Sequence, residues 1–216
     1  MISILLATYN GERYIESSIQ SIINQTFTDW ELLVGFNGTT DNSKEIVNSF
    51  KDNRIKIFDY GNDKGKAKTL NKLIHHCSYD FCAIQDDDDL WHKDKLGEQV
   101  KYFDRFDIIG SFITYIDEKN NPCGQPNLSI EHEKIKNRSL SGDNQTANSS
   151  AVFRKQDALE IECWDESLDG IEDFDFWIKL LKKGCLFHNI PRSLVFHRIH
   201  PESNFNTKQH DLSKIL

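Results

Sequence analysis

The chain has 216 residues, 38% hydrophobic and 28% charged, an ordinary globular composition with material for one sizeable core. A formal net charge of -8 argues against a nucleic-acid binder, which needs a basic face, but leaves room for a small phosphate-bearing ligand held by a metal ion or a few lysines. Five cysteines without CxxC spacing, and no signal peptide, argue against a disulfide framework, most of the cysteines read as buried small hydrophobes in a reducing compartment, and no apolar run reaches the ~20 residues of a membrane span.

In chain order, Ile2–Thr8 is an apolar run that predicts a buried parallel strand, broken by Asn10-Gly11. Ile15, Ile19, Ile22 and Ile23 share one helix face. Trp30–Phe36 predicts a second strand, Asn37-Gly38 a turn, and residues 41–50 a helix. Residues 54–60 predict a third strand. Ala67, Leu70, Leu73 and Ile74 mark a third helix, and residues 80–85 form a fourth strand that runs straight into Asp86-Asp87-Asp88-Asp89. Strands alternating with helices imply a parallel sheet, whose ligands bind beyond the carboxyl ends of the strands. Three polar turns leave those ends: Thr8-Tyr9-Asn10, Asn37-Gly38-Thr39 and the aspartate run. They are therefore expected to crowd one edge of the sheet.

The second half is less regular. Residues 95–106 predict a helix, 107–116 a strand, and Asn120-Asn121-Pro122 a turn. Residues 126–147 are polar with few apolar anchors and read as a mobile loop, a candidate lid over the site. Order resumes at 148–154. Phe174, Trp177, Ile178 and Leu181 make a helix face closed by Gly184, residues 194–199 are a last strand, and the tail is polar.

Four adjacent aspartates at a strand end repel one another without a counter-ion. A hard cation, Mg2+ or Mn2+, held by one or two carboxylates plus diphosphate oxygens would relieve them. A solvated acidic turn, with Asp89 capping the helix at Lys95, is the other reading. Asp169-Gly170-Ile171-Glu172 fits a capping box with Glu172 at the third helical position, which gives Glu172 a structural reason to exist. Asp173 lies beside the apolar face, where a carboxylate can reach a cleft and take a proton from a hydroxyl. His200 is a candidate imidazole ligand or a solvated residue. Lys64, Lys66, Lys68 and Lys72 form either a solvated helix face or, at Lys66 and Lys68, a diphosphate contact.

Together these motifs resemble the inverting family 2 glycosyltransferases of the GT-A fold. Ile2 to Glu12 is similar to that family's opening strand and "TYN" turn, Ala67 with Leu70-Asn71 to its third helix, and Asp86 to Trp91 to its DxD motif. Glu172-Asp173 with Phe176-Trp177 resembles its "ED" helix, and His197 to Ser203 its "R-x-H" segment. The resemblance implies an α/β GT-A domain over residues 1–204. Residues 1–106 would hold the nucleotide-sugar, 107–204 would form a smaller acceptor-binding and catalytic half, and 205–216 a polar tail. It implies transfer of a sugar from a nucleoside-diphosphate-sugar, a UDP-sugar above others, to a glycan or lipid-linked acceptor in polysaccharide, lipopolysaccharide or glycan synthesis. The setting would be cytoplasmic or peripheral to the inner face of a membrane.

By the same resemblance Thr8, Tyr9, Asn10, Glu12, Asn37, Lys66, Asn71, Asp86, Asp87 and Asp88 contact the donor. Asp88 and His200 hold Mn2+ or Mg2+, and Asp173 is the general base. One departure is visible: the family's acidic turn reads Phe36-Asn37-Gly38-Thr39, so an amide that donates and accepts replaces a carboxylate that only accepts. That departure motivates a non-catalytic sugar-nucleotide or glycan-binding module as the competing reading, which the intact Asp86, Asp88 and Asp173 oppose. Nucleotidyl transfer lacks the Gly-rich phosphate turn it needs near the first strand.

Overall fold

The computed structural model describes residues 1–168, 170–201, 212 and 215. Strand β1 (Ile2–Thr8) leads through helix α1 (Ile15–Ile23) to β2 (Trp30–Phe36), α2 (Ser43–Ser49), β3 (Ile55–Asp59), α3 (Lys66–Ile74) and β4 (Phe81–Ile84). The second half runs β5 (Leu90–Trp91), α4 (Lys95–Gln99), β6 (Ile108–Ile116), β7 (Pro122–Gly124), α5 (His132–Leu140), β8 (Val152–Arg154), α6 (Lys155–Glu160), α7 (Glu172–Lys183) and β9 (Phe187–Arg198). Among the described residues these strands form one sheet in the order β3-β2-β1-β4-β8-β6-β9-β5, with β7 beside β6. The first four strands pair parallel, as does β6 with β9, while β8 joins the halves through antiparallel pairing to β4 and β6.

Helices cover both faces, which is why β1 and β2 are mostly apolar and buried along nearly their whole length. On one face Ile2, Ile4 and Leu6 of β1 pack with Ile15, Ile19 and Ile22 of α1. On the other, Leu5 and Leu33 pack under Leu70, Leu73 and Ile74 of α3 in a core shared with α7. Phe176 of α7 stacks on Trp164 at 4.3 Å between ring centres, and the Phe153 ring meets both edge-on. Each such fully buried side chain contributes about 1.5–3 kcal/mol. Gly184, at φ 97°, ends α7 in the left-handed conformation the sequence anticipates. Beyond it Leu212 and Ile215 pack on the same core. The five cysteines are free, and Cys123 alone of them is exposed. Among the described residues no helix is long and apolar enough to cross a membrane.

Several sequence expectations are corrected. The helix expected over 95–106 stops at Gln99, because the chain tightens into a 3-10 turn at Val100–Tyr102 that sets the Phe103 ring 3.7 Å from that of Phe81. The last strand begins at Phe187, seven residues before the expected 194, paired along β6. Residues 126–147 are not a loose loop: they contain α5, and Ile135 and Gln145 are fully buried. Composition hid this because most of the anchors are hydrogen bonds, with Arg138 on Asp143 and Asn189 on two backbone carbonyls. The capping box does not form as expected either. Glu172 is the first residue of α7, not the third, and its carboxylate accepts the Gly170 amide at 2.6 Å, while Asp169 lies outside the described residues.

Candidate active site

The carboxyl ends of β1, β2 and β4, the first turns of α3 and α7, and the ends of β6 and β9 surround a cavity of ≈ 1350 Å³. The three polar turns do converge on it. The Asn37 backbone N–H donates to the Thr8 carbonyl, and Asn10 Oδ1 accepts the Thr40 backbone N–H at 2.8 Å.

The aspartate run owes its arrangement to Gln85. That buried side chain donates to the Asp89 carbonyl and to Ser18 Oγ, both at 2.7 Å, and curls the chain so that the Asp89 amide meets the Asp86 carbonyl. A tight turn sends four neighbouring carboxylates to different partners, which eases their repulsion without removing it. Asp86 accepts Lys66 Nζ at 2.5 Å and the side chains of Asn148 and Ser149. Burial alone would raise its pKa, but the Lys66 ammonium outweighs burial and holds it below the ordinary carboxylate value. Asp87 accepts Thr8 Oγ1 at 2.5 Å, and burial beside Asp88 and Asp86 pushes it up to about 7. Asp88 Oδ2 lies 3.0 Å from His200 Nε2. Asp89 does not cap α4, whose cap is Asp94. It is buried against His197 Nδ1 and accepts the Arg198 amide at 2.9 Å.

Asp173 faces the cavity from the first turn of α7, its Oδ1 accepting the Phe174 amide at 2.7 Å. Burial, then the neighbouring Glu172, raise its pKa to about 6. Lys66 is the cation set among these acids. Burial opposes its charge, but Asp86, Glu172 and Asp173 outweigh burial and keep it protonated.

Of the expected site residues, Tyr9, Asn10, Asn37, Lys66, Asp86, Asp87, Asp88, Asp173 and His200 line the cavity. Thr8 sits one layer behind, beneath Asp87. Two are placed elsewhere. Glu12 turns to α2, accepting the Asn42 amide and side chain, and Asn71 braces α3 against Trp164 and Glu166. The sequence reading missed Asn148 and Ser149, which reach Asp86 from a polar stretch with no motif. It also missed the structural part of Arg198, which donates to the carbonyls of Asp88 and Asp117 and covers the Tyr14 ring at 4.4 Å. Among the described residues no cluster of three metal-ligating side chains occurs. Asp88 and His200 supply two, one oxygen and one nitrogen. That fits a cation such as Mg2+ or Mn2+ that completes its shell with phosphate oxygens and water.

Residues 3–161, well over half the chain, match the family model for glycosyl transferase family 2. The chain belongs to that family. This family 2 glycosyltransferase is 31% identical over 216 residues to the O-antigen biosynthesis glycosyltransferase WbnJ of Escherichia coli, covering 94% of this chain and 81% of WbnJ. Over a shorter span, 121 residues, it is 35% identical to the Escherichia coli UDP-Glc:alpha-D-GlcNAc-diphosphoundecaprenol beta-1,3-glucosyltransferase WfgD, covering 56% of this chain and 48% of WfgD. Its fold is that of S. aureus TarS 1-349 in complex with UDP-GlcNAc, with a TM-score of 0.80 at 18% identity, covering 99% of this chain and 63% of TarS 1-349. It is also that of the mannosyltransferase PcManGT from Pyrobaculum calidifontis in complex with GDP-Man and Mn2+, with a TM-score of 0.72 at 16% identity over 94% of this chain and 58% of PcManGT. The glycosyltransferase thus has the GT-A fold, a curled, mostly parallel sheet flanked by helices, and spans about 60% of those solved chains. Family membership decides for the enzyme over the binding module.

Proposed function

We propose that the enzyme moves a sugar from a UDP-sugar to an acceptor hydroxyl by a single displacement with inversion, in the synthesis of a cell-surface polysaccharide. The observation that carries this reading is that one cavity joins the Asp88–His200 pair at the end of β4 to the Asp173 carboxyl at the start of α7. WbnJ's part in O-antigen biosynthesis, the lipid-diphosphate acceptor named for WfgD and the UDP-GlcNAc bound by TarS support the substrate class.

In this mechanism Tyr9, Asn10 and Asn37 hold the base and ribose, and Thr8 fixes Asp87 beneath them. Asn37 presents an amide, which can serve both the N–H and the carbonyls of uracil. Lys66 and Asp86 position the donor beside α7. Asp173 accepts the acceptor's hydroxyl proton as the oxygen–anomeric carbon bond forms and the bond to the diphosphate oxygen breaks. Asp88 and His200 would hold a divalent cation, and such an ion, when bound, would supply charge neutralisation to the departing diphosphate. Residues 1–106 form the donor half and 107–204 the acceptor half, and a lipid-linked acceptor would bring the enzyme to the inner face of a membrane.

Thermal stabilisation by UDP, GDP, dTDP and CMP, each with and without Mn2+, tests the donor site. Ligand at 100 times its Kd adds about 2.7 kcal/mol. The expected result is a shift with UDP that requires Mn2+ and disappears in Asp88→Ala. No shift with any nucleotide would reject the donor assignment.

A further inference from the structure

Residues 126–148 carry the cavity wall that the nucleotide turns do not supply. Pro126, Leu128, Asn144 and Ala147 line it, beside Ile113 and Tyr115 of β6. Asn148 at the end of the segment reaches Asp86. This polar stretch is held by its own Arg138–Asp143 pair, by the Asn189 backbone N–H on the Ile130 carbonyl, and by the Asn189 side chain on β9. Asn189 is 1% exposed, and its Nδ2 donates to the carbonyls of Ser129 and Gln145, both at 2.8 Å. These carbonyls flank α5 on either side, so one amide group clamps both ends of the segment. Gln145, fully buried, closes the loop by accepting the Ser129 amide at 2.8 Å. The space for Asn189 comes from Gly110, its register partner on β6, where a Cβ would fall on Asn189 Oδ1. None of Asn189, Gln145 and Ser129 lines the cavity.

Buried hydrogen bonds of this kind are costly to break, since each orphaned partner is left desolvated without a replacement contact. A lid needs the reverse: few buried contacts and cheap opening. The wall also stands on the second half of the chain, away from the three turns that receive the nucleotide. The cavity exceeds the ~1,000 Å³ upper range of a site for one small ligand, so a second substrate has room beside the first. The apolar and aromatic side chains of Ile113, Tyr115 and Leu128 suit the C–H face of a sugar ring better than a diphosphate.

Resting on the transferase reading above, we propose that Asn189 is a positioning residue for the acceptor. Through Ser129 and Gln145 it holds residues 126–148 as a prebuilt acceptor wall, not as a lid that closes over the donor.

The test compares wild type with Asn189→Leu and, should that variant fold poorly, with Gln145→Met. The donor is UDP-glucose or UDP-GlcNAc, and the acceptor probe is N-acetylglucosamine joined through diphosphate to an undecyl chain. Limited trypsin digestion probes Lys134, Lys136 and Arg138 with and without UDP and Mn2+. The expected result is an acceptor KM raised about tenfold, with donor KM and donor hydrolysis within about twofold of wild type. Trypsin should cut at these residues in the variants alone. A donor KM that rises as much as the acceptor KM would overturn the proposal. So would an unchanged acceptor KM, or cleavage of wild type that UDP abolishes, the behaviour of a lid. Absence of both UDP binding and donor hydrolysis in wild type would instead sink the transferase reading on which the proposal rests.

Discussion

His200 Nε2 lies 3.0 Å from Asp88 Oδ2 although 112 residues separate them. β9 makes the meeting possible: it runs parallel to β6 and delivers its carboxyl end to the same edge of the sheet as β4. Arg198 locks the approach by donating to the Asp88 carbonyl from a nearly fully buried position. His200→Ala should therefore weaken Mn2+-dependent UDP binding about 10–100-fold, as loss of a metal-site group commonly does. Isothermal titration with UDP and Mn2+ measures this, and undiminished affinity would remove His200 from the site.

Asp173 carries the proton in the proposed displacement, and Asp173→Asn keeps its shape without its basicity. The variant should retain UDP binding and lose about 10²–10⁴ in kcat. Near-wild-type turnover would refute the base assignment.

The same carboxyl sets a pH limb. Its pKa is raised to about 6, so the base is lost as pH falls through that value. Below it kcat/KM should fall about tenfold per pH unit. Lys66 lowers the Asp173 pKa, so Lys66→Met should move the limb to higher pH as well as weaken donor binding. A pH profile of wild type and variant reads both effects.

Gly11 is needed for space. A Cβ there would fall on Asp87 Oδ2 and come within 2.8 Å of Thr8 Oγ1, both held by the short Thr8–Asp87 hydrogen bond. Gly11→Ala should cost about 1–3 kcal/mol of stability and lower UDP affinity. Chemical denaturation and nucleotide titration check the two halves of this prediction.

His197 makes stability depend on pH. Burial works against its charge, but Asp89 outweighs burial and raises the imidazole to about 9, above its ordinary 6.5. A raised folded-state value contributes stability that is full below 6.5 and lost as pH rises through about 9. The melting temperature should therefore fall between these limits, by up to about 2–3 kcal/mol of stability, and the decline should flatten in His197→Gln.

The three βα units and fourth strand of the first half were legible because their apolar runs and helix faces are local, periodic signals. Topology then obliges the turns after β1, β2 and β4 to share one sheet edge. So Tyr9, Asn37, Asp88 and Asp173 could be nominated from motif and position alone. What each aspartate of the run does could not be read. Four identical residues differ only in direction, and the direction comes from Gln85 curling the turn onto Ser18. Nor could the sequence show Glu12 and Asn71 turned to bracing, since a polar side chain has no periodicity that tells which way it points. Residues 126–147 were misread for a related reason. Apolar burial leaves a mark in composition, whereas a segment held by Asn189, Gln145 and Arg138 looks solvated until its distant partners are in place. Pattern within the chain determined the sheet and its reactive edge, and long-range hydrogen bonding, invisible to any local pattern, decided how the site is held.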